Sequence, residues 1–357
     1  MLVVSCQLVV RPSSKKPTTK NQTPKTFKDM PFSDIIGHRK QLESLRWALE
    51  KDRLHHAYLF LGPEGVGKRA VALSLAMAIQ CRENEGDSCG GCADCVQVRG
   101  GNHPDVRVVG PLTGKREITI QQVRELEREL SYRAFSGRKK IAVVDPAFLM
   151  NFSAQNALLK TLEEPPKNSL LILVSTSTGG LLPTLLSRCL RLSFAPLPTG
   201  IVASFLVTQK GLEREEAELL AAMSMGSLGK AVSPEMKELV QRRGVWAERI
   251  GSLAPEDCRG WMALAEGLAS VREESLEFLE WVGGWYRDVL IYCVTGSSQE
   301  ISNLDMEKNI KQQADRHSVE RILYLFSQAI KTEASIRRNV NRRMVLENFL
   351  MQIVHSF

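Results

Sequence analysis

The chain has 357 residues and a formal net charge of +7, with 47 Lys and Arg against 40 Asp and Glu. Its length suits two or three domains with ample core, its ordinary apolar and charged fractions fit a soluble globular protein, and no apolar run reaches the ~18 residues of a membrane helix. Six cations and one acid fall in residues 1–29, a net of +5, so only +2 remains for residues 30–357 and no strongly basic, nucleic-acid-binding body follows from the total.

Leu2–Val10 is mildly apolar but has neither a basic leader before it nor a clear cleavage site after it. Residues 11–29 are rich in Lys, Thr, Ser, Pro and Gln with almost nothing to bury. They predict a disordered basic tail over 1–29, with a DNA-touching tail as the functional alternative and Met30 as an alternative start. Globular patterning begins at Met30-Pro31-Phe32, and Leu42, Leu45, Ala48 and Leu49 line one face of a helix ending near Lys51. His55 and His56 follow; adjacent residues on a strand face opposite ways, which predicts structural histidines and no shared metal.

An apolar strand, Leu59-Phe60-Leu61, runs into Gly62-Pro63-Glu64-Gly65-Val66-Gly67-Lys68-Arg69 and then into an Ala/Leu-rich helix. Gly62, Gly67 and Lys68 stand at P-loop spacing, with Gly65 between them. Glycines let the backbone wrap a phosphate, the helix N-terminus aims N–H groups at it, and the lysine reaches the outer phosphates. The Ser or Thr that normally follows the lysine, to ligate magnesium, is here Arg69. The loop therefore suits ATP or ADP binding but lacks a part needed for hydrolysis.

Cys81, Cys89, Cys92 and Cys95 come next, two gaps being C-x2-C, with glycines for tight turns between them. Four thiolates so spaced match tetrahedral zinc, with an iron–sulfur cluster or unligated cysteines as alternatives. Without a convincing secretory signal the cysteines predict a cytoplasmic metal module over 81–95 that staples a surface lobe.

His103–Val109 reads as a strand with its entry, Ile118–Leu130 as an amphipathic helix, and Lys140–Val144 as a buried strand ending in Asp145. That is a Walker-B pattern, whose Asp145 would orient magnesium through water. The acid that would follow it, to polarise the attacking water, is Pro146. A helix over Ala154–Glu164 stops at Pro165-Pro166, and the strand Leu170–Val174 closes with Ser175 and Thr176. Strands alternating with helices predict a mostly parallel, helix-covered sheet whose carboxyl edge carries the ligand site. No strand run appears beyond Pro196 and Pro198; residues 200–234 read as short helices and the remainder as helical throughout, with Trp246, Trp261, Trp281 and Trp285 as core or interface anchors.

Taken together, His56–Phe60, the four cysteines, His103-Pro104-Asp105, Asn156–Pro166, Ser187-Arg188-Cys189 and Asn339–Arg342 resemble the AAA+ clamp-loader family from about residue 30 to the C-terminus. The resemblance implies an α/β AAA+ P-loop domain over 30–196 with the zinc insert, a helical lid over 197–234 and an all-α C-terminal collar over 235–357. It implies partners of the gamma/tau and delta type in a heteropentameric ring, a sliding clamp, and primer-template DNA met through the complex, with no membrane. The chain would then be part of a replicative DNA polymerase holoenzyme with little or no ATPase of its own. By the same resemblance Arg188 is an arginine finger acting in trans on a neighbour's ATP; residue chemistry alone favours an ordinary surface arginine in a salt bridge. Arg69, Pro146 and Gly229, the last aligned with the lid arginine of hydrolysing relatives, are departures that predict a silent site. The competing expectations are an ATP-hydrolysing clamp-loader subunit or motor, which needs the missing groups, and a zinc-dependent DNA-binding protein, which the near-neutral body disfavours.

Overall fold

The computed structural model describes residues 31–355 apart from Gly137 and Gln299. The predicted tail over 1–29 and the alternative start at Met30 lie outside the described residues. In chain order the elements are α1 (Arg39–Glu50), β1 (Ala57–Leu61), α2 (Lys68–Gln80), α3 (Ala93–Arg99), β2 (Val106–Val109), α4 (Ile120–Ser131), β3 (Lys140–Val144), α5 (Phe152–Glu163), β4 (Ser169–Ser175), α6 (Pro183–Leu186) and β5 (Leu190–Ser193). Helices alone follow: α7 (Thr199–Lys210), α8 (Arg214–Met223), α9 (Leu228–Ala231), α10 (Pro234–Ser252), α11 (Cys258–Ala269), α12 (Arg272–Thr295), α13 (Glu307–Arg316), α14 (Val319–Arg337) and α15 (Arg342–Val354).

The strands form one parallel sheet in the order β2-β3-β4-β1-β5. Each central strand is apolar on both faces, as a helix-covered parallel sheet requires. Tyr58, Phe60, Ile141, Val143, Ile172 and Val174 pack under α1 and α2, while Ala57, Leu59, Ala142, Val144, Leu171 and Leu173 pack under α4, α5 and α6. The loops after β1 and β3 emerge at the same carboxyl edge, where ligands bind in open α/β sheets. α7–α9 gather around a small core of Val202, Leu206, Ala217, Leu220 and Leu228. The later helices bury a larger one, in which Trp246, Phe278, Trp281 and Trp285 follow one another at ring-centroid spacings of 5.5–6.2 Å.

Two elements go beyond the sequence reading, and the reading of the paired histidines is corrected. Leu190–Ser193 is a fifth strand: it is short, carries Arg191 and Ser193 among its four residues, and pairs only with β1 at the sheet's edge. A helix, α3, begins inside the cysteine module, a feature that ligand spacing and glycine turns leave open. His55 and His56 precede β1, so strand alternation does not apply to them; their rings lie 4.3 Å apart, and His55 Nδ1 lies 2.8 Å from Ala57 O.

Candidate functional site

The P-loop joins β1 to α2 at the carboxyl edge of the sheet. Gly65 and Gly67 take positive φ values of 72° and 109°, open to glycine and costly to side chains, so the turn can close tightly before α2 begins at Lys68. Lys68 is 6% exposed, and its Nζ donates to the carbonyl oxygens of Gly62 at 2.6 Å and Pro63 at 2.5 Å. Burial holds its pKa below the ordinary lysine value, opposed by the charges of Asp145 and Glu64.

Two strands away, the main chain of Asp145 is fixed by its N–H donating to Val109 O at 2.9 Å. Its carboxylate receives Arg69 Nη1 at 3.2 Å. Burial raises the Asp145 pKa, and Arg69 and Lys68 work against that rise. The side chain that replaces the magnesium-binding hydroxyl therefore holds the carboxylate that would orient the metal. Nothing in the order of residues points to this pair, which spans 76 positions.

The helical segment after the sheet closes over the loop. Gly229 N donates to Gly65 O at 2.8 Å, and Ser227 Oγ donates to Glu64 O at 2.8 Å. A Cβ on Gly229 would meet Gly65 Cα at 2.9 Å, closer than real Cβ atoms come. The missing side chain at Gly229 lets the two backbones touch.

Arg188 does not join this group. It follows α6, in the layer of α4 and α5 on the face of the sheet opposite α2. Its Nη2 lies 2.8 Å from Glu163 Oε1, and its Nη1 donates to Thr184 O at 2.9 Å. The Arg188 side chain is 36% exposed and that of Glu163 52%. A half-wet ion pair of this kind holds a side chain in place at little energetic gain.

The four cysteines do converge. One sulfur from each of Cys81, Cys89, Cys92 and Cys95 lies within 4.8 Å of the others, against about 3.8 Å between the corners of a zinc–thiolate tetrahedron. Cys89 N donates to Cys81 Sγ at 3.4 Å and Cys92 N to Cys89 Sγ at 3.3 Å, the N–H contacts that favour thiolates. At Cys81 burial opposes ionisation, but the N–H groups of Cys89, Glu83 and Asn84 outweigh it and bring the thiol to about 7. This donor set fits a metal ion.

Two carboxylates that spacing did not single out anchor the module. Asp87 accepts the N–H groups of Phe32 at 2.8 Å and Ser33 at 3.3 Å, and pairs with Arg46 at 3.1 Å. Buried Asp105 accepts Phe135 N at 2.8 Å and Ser136 N at 2.7 Å, with Lys140 Nζ at 3.3 Å. Those donors keep its pKa below the usual carboxylate range although burial alone would raise it. His103 links it to α3, accepting Asp105 N at 3.1 Å and facing Asp94 at 3.4 Å. Thus His103-Pro104-Asp105 ties the cysteine module to the loop before β3.

Among the described residues no helix is long and apolar enough to cross a membrane. The family described as "DNA polymerase III, delta subunit" matches residues 37–198, and its C-terminal counterpart matches residues 246–355. The DNA polymerase III subunit delta' of Pseudomonas aeruginosa is 33% identical over 303 residues, covering 83% of this chain and 91% of that protein. The subunit delta' of Bacillus subtilis is 29% identical over 86% of this chain and 93% of its own length. The subunit tau/gamma of Haemophilus influenzae is 32% identical, but over 57% of this chain and 30% of that protein. Similarity thus runs the length of the delta' proteins and only part of tau/gamma, and the chain belongs to the delta' family of DNA polymerase III subunits.

Proposed function

We propose that this chain is a non-hydrolysing clamp-loader subunit that lends Arg188 to ATP held by a neighbouring subunit. One observation carries this: Arg188 is partly exposed, and among the described residues its ion-pair partner is the half-exposed carboxylate of Glu163, with Thr184 O and Ser187 Oγ taking only Nη1, so a triphosphate can take Nη2 over from Glu163. An arginine offered in trans neutralises charge that develops on the transferring phosphoryl group. The chain's own loop keeps the phosphate-wrapping form of Gly62, Gly65, Gly67 and Lys68, able to take ATP or ADP, but Arg69 and Pro146 stand where hydrolysis needs a hydroxyl and an acid.

The partners are clamp-loader subunits of the gamma/tau and delta type in a pentameric ring, acting on a sliding clamp and primer-template DNA. Membership of the delta' family, with likeness to tau/gamma over part of the chain, supports that company. Residues 30–196, 197–234 and 235–357 act as nucleotide-type domain, lid and collar. The separate apolar cores of the short helices and of the later ones support this division. Cys81, Cys89, Cys92 and Cys95 hold one zinc ion, which staples the module and takes no part in chemistry; the convergence of four sulfurs supports zinc. Mixing the purified chain with gamma/tau- and delta-type subunits and weighing the product by native mass spectrometry tests the assembly. One copy in a five-subunit ring is expected, and failure to enter any ring would refute the proposal.

A further inference from the structure

We propose that Glu163 is the resting counter-ion of Arg188, an internal stand-in for a phosphate oxygen that a neighbour's ATP must displace. This rests on the role given to Arg188 in trans and adds what sets the ATP demand of that boundary. The main chain on both sides is fixed. Leu162, next to Glu163, and Leu185 and Cys189, on either side of Arg188, are buried in the core beneath α4, α5 and α6, and Arg188 N donates to Leu185 O at 3.2 Å. Only the two side chains are free to change partners.

The guanidinium divides its donors between two tasks. Nη1 is held within its own turn, by Thr184 O at 2.9 Å and Ser187 Oγ at 3.3 Å. Nη2 reaches across to α5 and meets the Glu163 carboxylate at 2.8 Å. Carboxylate and phosphate oxygens suit the same planar fork, so Nη2 can pass from one to the other while Nη1 stays anchored. Helix stability does not account for that carboxylate: Glu163 is the last residue of α5, at the negative end of the helix dipole, where an acid is disfavoured. A triphosphate brought to Arg188 repels it, and its half-exposed side chain can turn out into water. Two anions thus contest one donor. Glu163 weakens the hold of the boundary on ATP and takes no part in phosphoryl transfer.

The test is a double-mutant cycle in the complex reconstituted with gamma/tau- and delta-type subunits: wild type, Glu163→Gln, Arg188→Ala and the two together. Subtracting the rate of the matching Arg188→Ala complex isolates the hydrolysis that depends on Arg188. For that part, Glu163→Gln should lower the ATP concentration at half-maximal rate by about two- to fivefold, the range a half-exposed ion pair allows, and leave the saturated rate unchanged. Without Arg188 the same substitution should change nothing. Glu163→Ala, which leaves no amide oxygen to bond, should shift the ATP dependence the same way and keeps the test sharp if glutamine still holds Nη2. A half-maximal concentration unchanged or raised in both variants, a lowered saturated rate, or an effect that persists without Arg188 would each overturn the inference. If Arg188→Ala still lowers hydrolysis in that case, the role of Arg188 stands and only Glu163 fails; if Arg188→Ala changes nothing, both fail.

Discussion

The P-loop corner and the Arg188 corner lie on one sheet and differ in what their charges are doing. At the P-loop Lys68 is bound to Gly62 and Pro63, Asp145 to Arg69, and the loop's own backbone to Gly229. Just after α6, Arg188 has one half-exposed carboxylate, a carbonyl and the Ser187 hydroxyl. The first corner is closed on itself, while the second has a partner half open to solvent. On the proposed function, a nucleotide fold can lose chemistry at its own site and keep a contribution to a site elsewhere, because the two corners share no residue.

The largest expected effect tests the closed corner. Isolated protein should turn over ATP at background, since the missing hydroxyl and acid are each worth about 10²–10³ in rate. A robust steady-state rate abolished by Lys68→Ala would collapse the contrast. Next comes the cysteine module, which should govern stability without touching either corner. Elemental analysis should find one zinc per chain; Cys92→Ser should lose it and cost upwards of about 4 kcal/mol in urea unfolding, as loss of a structural metal does. Purified wild type without metal would contradict this.

A smaller effect lies at the clasp. Gly229→Ala places a methyl 2.9 Å from Gly65 Cα. It should cost about 1–3 kcal/mol by overpacking, read by denaturant unfolding, and should raise hydrogen exchange at the amide of residue 229. An unchanged exchange rate would mean that the lid does not rest on the loop. Smallest of all, Glu163→Gln should alter stability by less than about 1 kcal/mol, because the pair it breaks is half-exposed. A cost of several kcal/mol would make Arg188 a structural residue.

Much of the α/β half was legible because its signals are local. Glycine spacing with a following lysine marks the P-loop, continuous apolar runs mark β3 and β4, and Pro165-Pro166 ends α5. β5 escaped because four residues with Arg and Ser among them look like a loop until β1 pairs with them. α3 escaped because ligand spacing speaks of sulfurs and is silent about the chain between them. The partners of Asp87 and Asp105 lie roughly thirty to fifty-five positions away, and those of Arg69 and Gly229 farther still. Such pairings come from the closed fold and leave no periodic trace. The candidate residues were therefore readable one by one, while the pairing of Arg69 with Asp145 at the P-loop was not.

The most direct measurement compares two variants in the reconstituted clamp-loader complex. Arg188→Ala should assemble normally, keep its zinc and lower ATP hydrolysis and clamp loading; the loss is partial for the ring but reaches about 10³-fold at the one affected site. Lys68→Ala, altering only the chain's own loop, should leave ATP hydrolysis by the complex unchanged. If instead Lys68→Ala lowers hydrolysis and Arg188→Ala does not, the chain burns ATP at its own P-loop and lends nothing to its neighbour.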